Sequence, residues 1–292
     1  MDRTLARVDA VMLESRAAEL SRRSIKAAAK AAGIEIAIGC MDLTTLEGKD
    51  SPGKVRAVCA RAIAPAPGVR NVAAVCIYPS LLAVAREALD GTPVLLASVA
   101  TAFPSGLSPL ELRLEETRQA VALGADEIDM VIDRGAFLAG NEREVLREIV
   151  AVKAACGAAT LKVILEVGEL GSYAAMRRAC EIALEGGADF LKTATGKIGI
   201  SSTPAIALLM CDAIRVHHRA TGRAVGLKLA GGIRTTKSAL GYLAIVKETL
   251  GDAWLQPSRF RIGASSLLDD LLMQREKERT GNYAGAAYVA TA

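Results

Sequence analysis

Eight short apolar runs, separated by stretches with helical spacing, constrain this chain more than any other feature. They are IEIAIGC (34–40), VAAVCIYP (72–79), PVLLASVA (93–100), EIDMVI (127–132), TLKVILEV (160–167), DFLKTA (189–194), AVGLKLAGG (224–232) and RFRIGASS (259–266). Their starts lie roughly 20 to 40 residues apart, the size of one strand–helix unit. The intervening stretches carry helix punctuation. One opens at Ser108-Pro109 and stops at Gly124. Another opens at Asn141 and stops at Gly157, and a third opens at Ser172 and stops at Gly186-Gly187. Gly-Ala-Asp joins helix to strand twice, at 124–126 and 187–189. Alternating units of this kind imply a parallel sheet. Eight of them predict an α/β fold, a (β/α)8 TIM barrel. An open doubly wound sheet is the rival, but no strand here runs into the GxGxxG turn of a dinucleotide site. A helical stretch from about residue 4 stops at Gly33, so the chain divides into an N-terminal helical extension (1–33) and a barrel with a C-terminal tail (34–292).

The chain of 292 residues is 51% apolar, enough for a large core, and only 3% aromatic. Its net charge of +4 is too mild to argue for nucleic acid or a membrane surface. The longest apolar run, 93–103, is too short to span a bilayer. Acidic residues Asp2, Asp9, Glu14 and Glu19 argue against a signal or transit peptide. Six dispersed cysteines with no CxxC, and two histidines side by side at 217–218, argue against a zinc site. The cysteines read as small core residues of a protein in a reducing, cytoplasmic compartment.

In such barrels the active site lies at the carboxyl ends of the strands. The polar residues expected there are Asp42, Cys76, Asp126, Glu127, Asp129, Lys162, Glu166, Lys192, Thr193, Thr195 and Lys228. Lysine is seldom buried without a partner, yet Lys162, Lys192 and Lys228 fall on three neighbouring strands. One such lysine would reach water along its own stem. Three, with Asp129 on the strand before them, read as a functional cluster. Crowded ammonium groups lose protons more easily, as do buried ones. A free amine in a pocket attacks carbonyls and forms a Schiff base, which is the route of a metal-independent aldolase. AGGIRT and GASS follow the seventh and eighth strands, where this fold commonly holds a phosphate.

Seven blocks in order, MDLTTL (41–46), VCIYP (75–79), GADEIDMV (124–131), LKVILEVGEL (161–170), ADFLKTATGK (188–197), GLKLAGGIRT (226–235) and RFRIGASSLL (259–268), resemble the deoxyribose-phosphate aldolase family over nearly the whole chain after about residue 36. The resemblance implies a class I aldolase that needs no metal or cofactor. It implies reversible cleavage of 2-deoxy-D-ribose 5-phosphate to D-glyceraldehyde 3-phosphate and acetaldehyde. By position it puts the Schiff-base lysine at Lys192, the second lysine at Lys228 and the proton-transfer carboxylate at Asp129. Lys162, Asp42 and Cys76 support them, with Asp42 set to hold Lys228. Gly231, Gly232, Gly263, Ser265, Ser266, Thr195 and Lys197 fall around the phosphate. Leu229 stands where the family has proline, which bears on the aim of Lys228. The tail carries Tyr283 and Tyr288 but ends without the terminal tyrosine that enters the site in some members. A lysine aldolase or transaldolase for another phosphorylated aldehyde, and a barrel that only binds a sugar phosphate, are the alternatives. The expected partner is a small phosphorylated sugar or aldehyde, and a homo-oligomer is compatible with the sequence.

Overall fold

Runs that are apolar on both faces can lie side by side only where helices cover them, and that is how these runs are used. In the computed structural model, which describes residues 8–23, 25–199 and 202–282, eight parallel strands close into a barrel in sequence order. They are β1 (Met41–Thr44), β2 (Ala74–Ile77), β3 (Leu95–Ala100), β4 (Glu127–Val131), β5 (Thr160–Ile164), β6 (Phe190–Lys192), β7 (Gly226–Ala230) and β8 (Phe260–Ala264). β8 pairs back onto β1, with Asp42 opposite Gly263.

Two helices precede the barrel, α1 (Ala10–Ser21) and α2 (Ala27–Gly39). The others alternate with the strands: α3 (Pro52–Ile63), α4 (Leu82–Ala88), α5 (Leu110–Ala122), α6 (Arg134–Leu138), α7 (Glu142–Ala155), α8 (Tyr173–Glu185), α9 (Pro204–Thr221), α10 (Thr236–Leu250) and α11 (Leu267–Thr280). Their starts are set locally. Ser51, Ser172, Thr203 and Thr235 each accept a hydrogen bond from a backbone N–H in the first turn. α7 starts after Asn141 and α8 after Ser172, as the sequence predicts, while α5 starts at Leu110, one residue beyond the expected position.

The first apolar run is helix, not strand. α2 continues through Gly33 to Gly39, and β1 begins only at Met41. Ile34, Ala37 and Ile38 are buried, at i, i+3 and i+4, so the run has a helical period as well as an alternating one. Gly33 is a contact point rather than a stop: a Cβ there would lie 2.5 Å from a Leu240 methyl on α10.

The two Gly-Ala-Asp joints share one job at the amino end of the barrel. Asp126 accepts from Leu96 N at the start of β3, and Asp189 accepts from Leu161 N at the start of β5, each at 2.8 Å. Asp126 therefore lies at the opposite end of the barrel from the expected site.

Candidate active site

Side chains alternate along a barrel strand between the interior and the helix layer. Asp42, Cys76, Glu127, Asp129, Lys162, Lys192, Lys228 and Arg261 share the interior phase, and all are nearly or fully buried. Leu229 has the opposite phase and packs in the apolar core, so the residue at the family's proline position leaves Lys228 aimed inward.

Asp129 is the hub. Its Oδ2 accepts from Lys192 Nζ and from Lys228 Nζ, both at 2.7 Å, and its Oδ1 accepts from Lys162 Nζ at 2.9 Å. Lys228 also pairs with Asp42 Oδ2 at 2.5 Å, the role expected of Asp42. Cys76 Sγ lies 3.8 Å from Asp129 Oδ2.

Lys162 and Glu127 are not at the carboxyl mouth. Lys162 sits mid-strand and Glu127 is the first residue of β4, so both lie deeper in the barrel, bonded to each other at 2.6 Å. Two of the three lysines, Lys192 and Lys228, line the open cavity.

The lysines do not share one electrostatic fate. Burial lowers the pKa of Lys192 from the ordinary lysine value; Asp129 opposes the shift and Lys228 reinforces it. Burial also disfavours charge on Lys228, but Asp129 and Asp42 outweigh it and hold that ammonium well above the ordinary range. Lys162 is likewise raised, against burial, by Asp129 and Glu127. Burial would raise Asp129 itself, yet Lys162, Lys192 and Lys228 hold it well below the carboxylate range. The cluster thus contains one amine inclined to lose its proton, facing the cavity beside fixed ammonium groups.

That cavity, of about 390 Å³, is walled by the loops that follow β1, β6, β7 and β8. Thr195, Lys197, Gly231, Gly232, Gly263, Ser265 and Ser266 all border it, so the expected phosphate residues converge on one space with Lys192 and Lys228 at its floor. Gly231 and Gly232 have φ of +89° and +78°, a backbone path that an L side chain rarely takes. Thr193 Oγ1 accepts from Ala230 N at 2.9 Å and fixes the end of β7 beside β6.

Glu166 serves the wall rather than the floor. It accepts from Thr195 N at 3.1 Å and from Thr195 Oγ1 at 2.5 Å, and Arg134 donates to it at 3.3 Å. Lys197 lines the cavity with its ammonium 2.8 Å from Glu47 Oε1.

Three residues escaped the sequence reading. Arg234 and Lys54 line the same cavity. Arg261 is buried under it, with Nη1 2.6 Å from Asp42 and Nη2 2.7 Å from Glu127. An arginine inside an apolar run was the available signal. Tyr283 and Tyr288 lie outside the described residues.

The histidines take no part: both are on α9, and His218 stacks edge-on against Trp254. Among the described residues, no group of three or more His, Cys, Asp or Glu side chains could hold a metal ion. Nor is any helix among them long and apolar enough to cross a membrane. All six cysteines are buried thiols.

Solved structures share this architecture. A Toxoplasma gondii chain described as a candidate deoxyribose-phosphate aldolase superposes with a TM-score of 0.76 at 26% identity, covering 86% of this chain and 97% of its own. A deoxyribose phosphate aldolase from Aeropyrum pernix, described as a tetramer, matches with a TM-score of 0.66 at 24% identity, over 88% of this chain and all of that one. Sequence relatives are nearer. Proteins named deoxyribose-phosphate aldolase from Mus musculus and Homo sapiens are 44% and 42% identical over 278 residues, 90% of this chain and 87% of each of theirs. The model of the DeoC/LacD family aldolases matches residues 36–272, a span that runs from inside α2 into α11 and takes in the whole lysine cluster and the loops above it. The chain belongs to the DeoC/LacD family of aldolases.

Proposed function

We propose that this chain is a Schiff-base aldolase that reversibly cleaves 2-deoxy-D-ribose 5-phosphate to D-glyceraldehyde 3-phosphate and acetaldehyde, with Lys192 as nucleophile. The observation that carries the assignment is the position of Lys192. It is the amine pushed toward its neutral form, it borders the cavity, and Asp129 and Lys228 lie beside it. The names of the relatives supply the substrate.

The steps follow from these groups. The Lys192 lone pair attacks the C1 aldehyde of the open-chain sugar, and loss of water leaves a protonated imine. A base removes the proton from the C3 hydroxyl, the C2–C3 bond breaks, and its electron pair flows to the iminium nitrogen. D-Glyceraldehyde 3-phosphate leaves, and an enamine remains on Lys192. Protonation of the enamine carbon and hydrolysis of the imine release acetaldehyde and the amine. Asp129, bonded to both lysines, is suited to pass protons in these steps through a water. The backbone of Gly231-Gly232 and the start of α11 at Ser265-Ser266 are suited to the substrate phosphate, because N–H groups at a helix start favour an anion. A cytoplasmic homo-oligomer is part of this reading, on the strength of the buried thiols and a neighbour described as tetrameric. Light scattering would check the assembly.

Borohydride reduction in the presence of acetaldehyde tests the assignment. A two-carbon unit should appear on the peptide containing Lys192. Trapping on Lys162 or Lys228 would overturn the residue assignment. No trapping at all would favour a barrel that binds a sugar phosphate without turning it over.

A further inference from the structure

The barrel interior carries one positive charge too many. Among the described residues, the buried charged side chains inside the barrel are Lys162, Lys192, Lys228 and Arg261 against Asp42, Glu127 and Asp129; buried Glu166, at the wall after β5, is paired with Arg134, and buried Arg113 and Glu148 pair with each other in the helix layer. Four cations therefore face three carboxylates. A buried charge without a partner is costly enough that the group which can change its protonation state does so. Arg261 cannot, because a guanidinium stays charged in proteins. Lys162 bonds Glu127 and Asp129 and has Asp42 Oδ2 3.7 Å away, and Lys228 pairs with Asp42 and Asp129. Among the described residues, Lys192 pairs only with Asp129, whose oxygen it shares with Lys228.

Arg261 creates this imbalance. It bonds Asp42 Oδ1 and both oxygens of Glu127, so it shares Asp42 with Lys228 and Glu127 with Lys162, and each of these two carboxylates already faces two cations. It also stands in register beside Lys228, which stands in register beside Lys192, placing three cations in a row across β6, β7 and β8.

We propose that Arg261 is a positioning residue for the reaction: its fixed charge makes Lys192 the surplus cation of the barrel, and so sets the pH range over which Lys192 is a nucleophilic amine. Every strand with a charged interior group enters this balance. β1 gives Asp42, β4 gives Glu127 and Asp129, β5 gives Lys162, β6 gives Lys192 itself, β7 gives Lys228 and β8 gives Arg261. β2 adds only the Cys76 thiol, which burial keeps protonated, and the interior positions Ala97 and Val99 of β3 are apolar. The inference rests on the assignment of Lys192 as nucleophile.

The test is the pH dependence of the rate at which acetaldehyde and borohydride modify the full-length protein, read by intact mass, with peptide mapping of the label. Arg261→Met leaves three lysines facing three carboxylates. The midpoint for labelling Lys192 should then move up by about one pH unit. Arg261→Lys restores a charge and should return the midpoint toward that of the unsubstituted protein. Glu127→Gln leaves four cations facing two carboxylates and should move it down. Glu127→Gln combined with Arg261→Met leaves three facing two, again one in excess, and should restore the original midpoint. An Arg that serves only to pack the barrel would lower labelling at every pH and leave the midpoint in place. An unmoved midpoint in Arg261→Met, with the label still on Lys192, overturns the proposal. If that variant does not fold, an unmoved midpoint in Glu127→Gln overturns it equally. A label on another residue would instead overturn the nucleophile assignment.

Discussion

Lys192 carries a stability cost that follows from the same geometry. Its pKa is lowered in the folded state by burial and by Lys228, and it returns to the ordinary lysine value, about 10.4, when the chain unfolds. Between the lowered folded value and the unfolded one the unfolded chain binds more protons at this site than the folded one, so the lysine destabilises the fold at neutral pH and the penalty fades as pH climbs through that window. Lys192→Met removes the penalty and keeps an unbranched stem of similar length. The variant should have no aldolase activity and a higher Tm at pH 7, by about 2–4 °C for each kcal/mol regained. The gap between variant and unsubstituted protein should narrow toward pH 10. A lower Tm for Lys192→Met at pH 7 would mean that its ion pair with Asp129 outweighs the burial of its charge.

At the scale of elements, the cavity is a meeting of loops from distant parts of the chain. Glu166 after β5 holds Thr195 after β6, and Lys197 reaches Glu47 after β1. The GASS segment passes from β8 into α11, whose first turn also holds Asp269 and Asp270. Ser265→Asp puts a carboxylate at the cavity wall, where a phosphate is proposed to bind. KM for 2-deoxy-D-ribose 5-phosphate should rise at least about tenfold, a cost of roughly 1.4 kcal/mol, while KM for unphosphorylated deoxyribose changes little. Equal changes for both substrates would place the phosphate elsewhere. The strands around the site were legible because the apolar runs recur with helical stretches between them. The first run was misread because IEIAIG satisfies both periods, and only contact with α10 and α11 selects helix.

At the scale of the whole molecule, closure of the barrel decides what fits inside it. Phe190 on β6 fills the interior beside Arg261, with the guanidinium 5.7 Å from the ring centre. The ring fits because β7 has glycine next to it: a Cβ on residue 226 would overlap a Phe190 ring atom. An aromatic ring cannot yield as a flexible chain end can. Gly226→Ala should therefore cost about 1–3 kcal/mol, read as a fall in Tm or in the urea midpoint. An unchanged Tm would show that the ring has room to move.

The eightfold alternation, the helix ends at Gly124, Gly157 and Gly186-Gly187, and the identity of the lysine cluster are legible in the residues alone, because these depend on local periodicity, punctuation and residue chemistry. The sequence could not tell which polar residues lie at the mouth and which lie deeper. Glu127 and Asp129 share one face of one strand, and only strand tilt and closure set one beside Arg261 and the other beside Lys192. Nor could it distinguish Arg261 from Arg259, two residues away and of the same phase. The first is buried among carboxylates, and the second lies over Trp254 outside the barrel interior. Tertiary structure alone decided the charge balance of the interior, because that balance sums groups on six strands that meet only when the barrel closes.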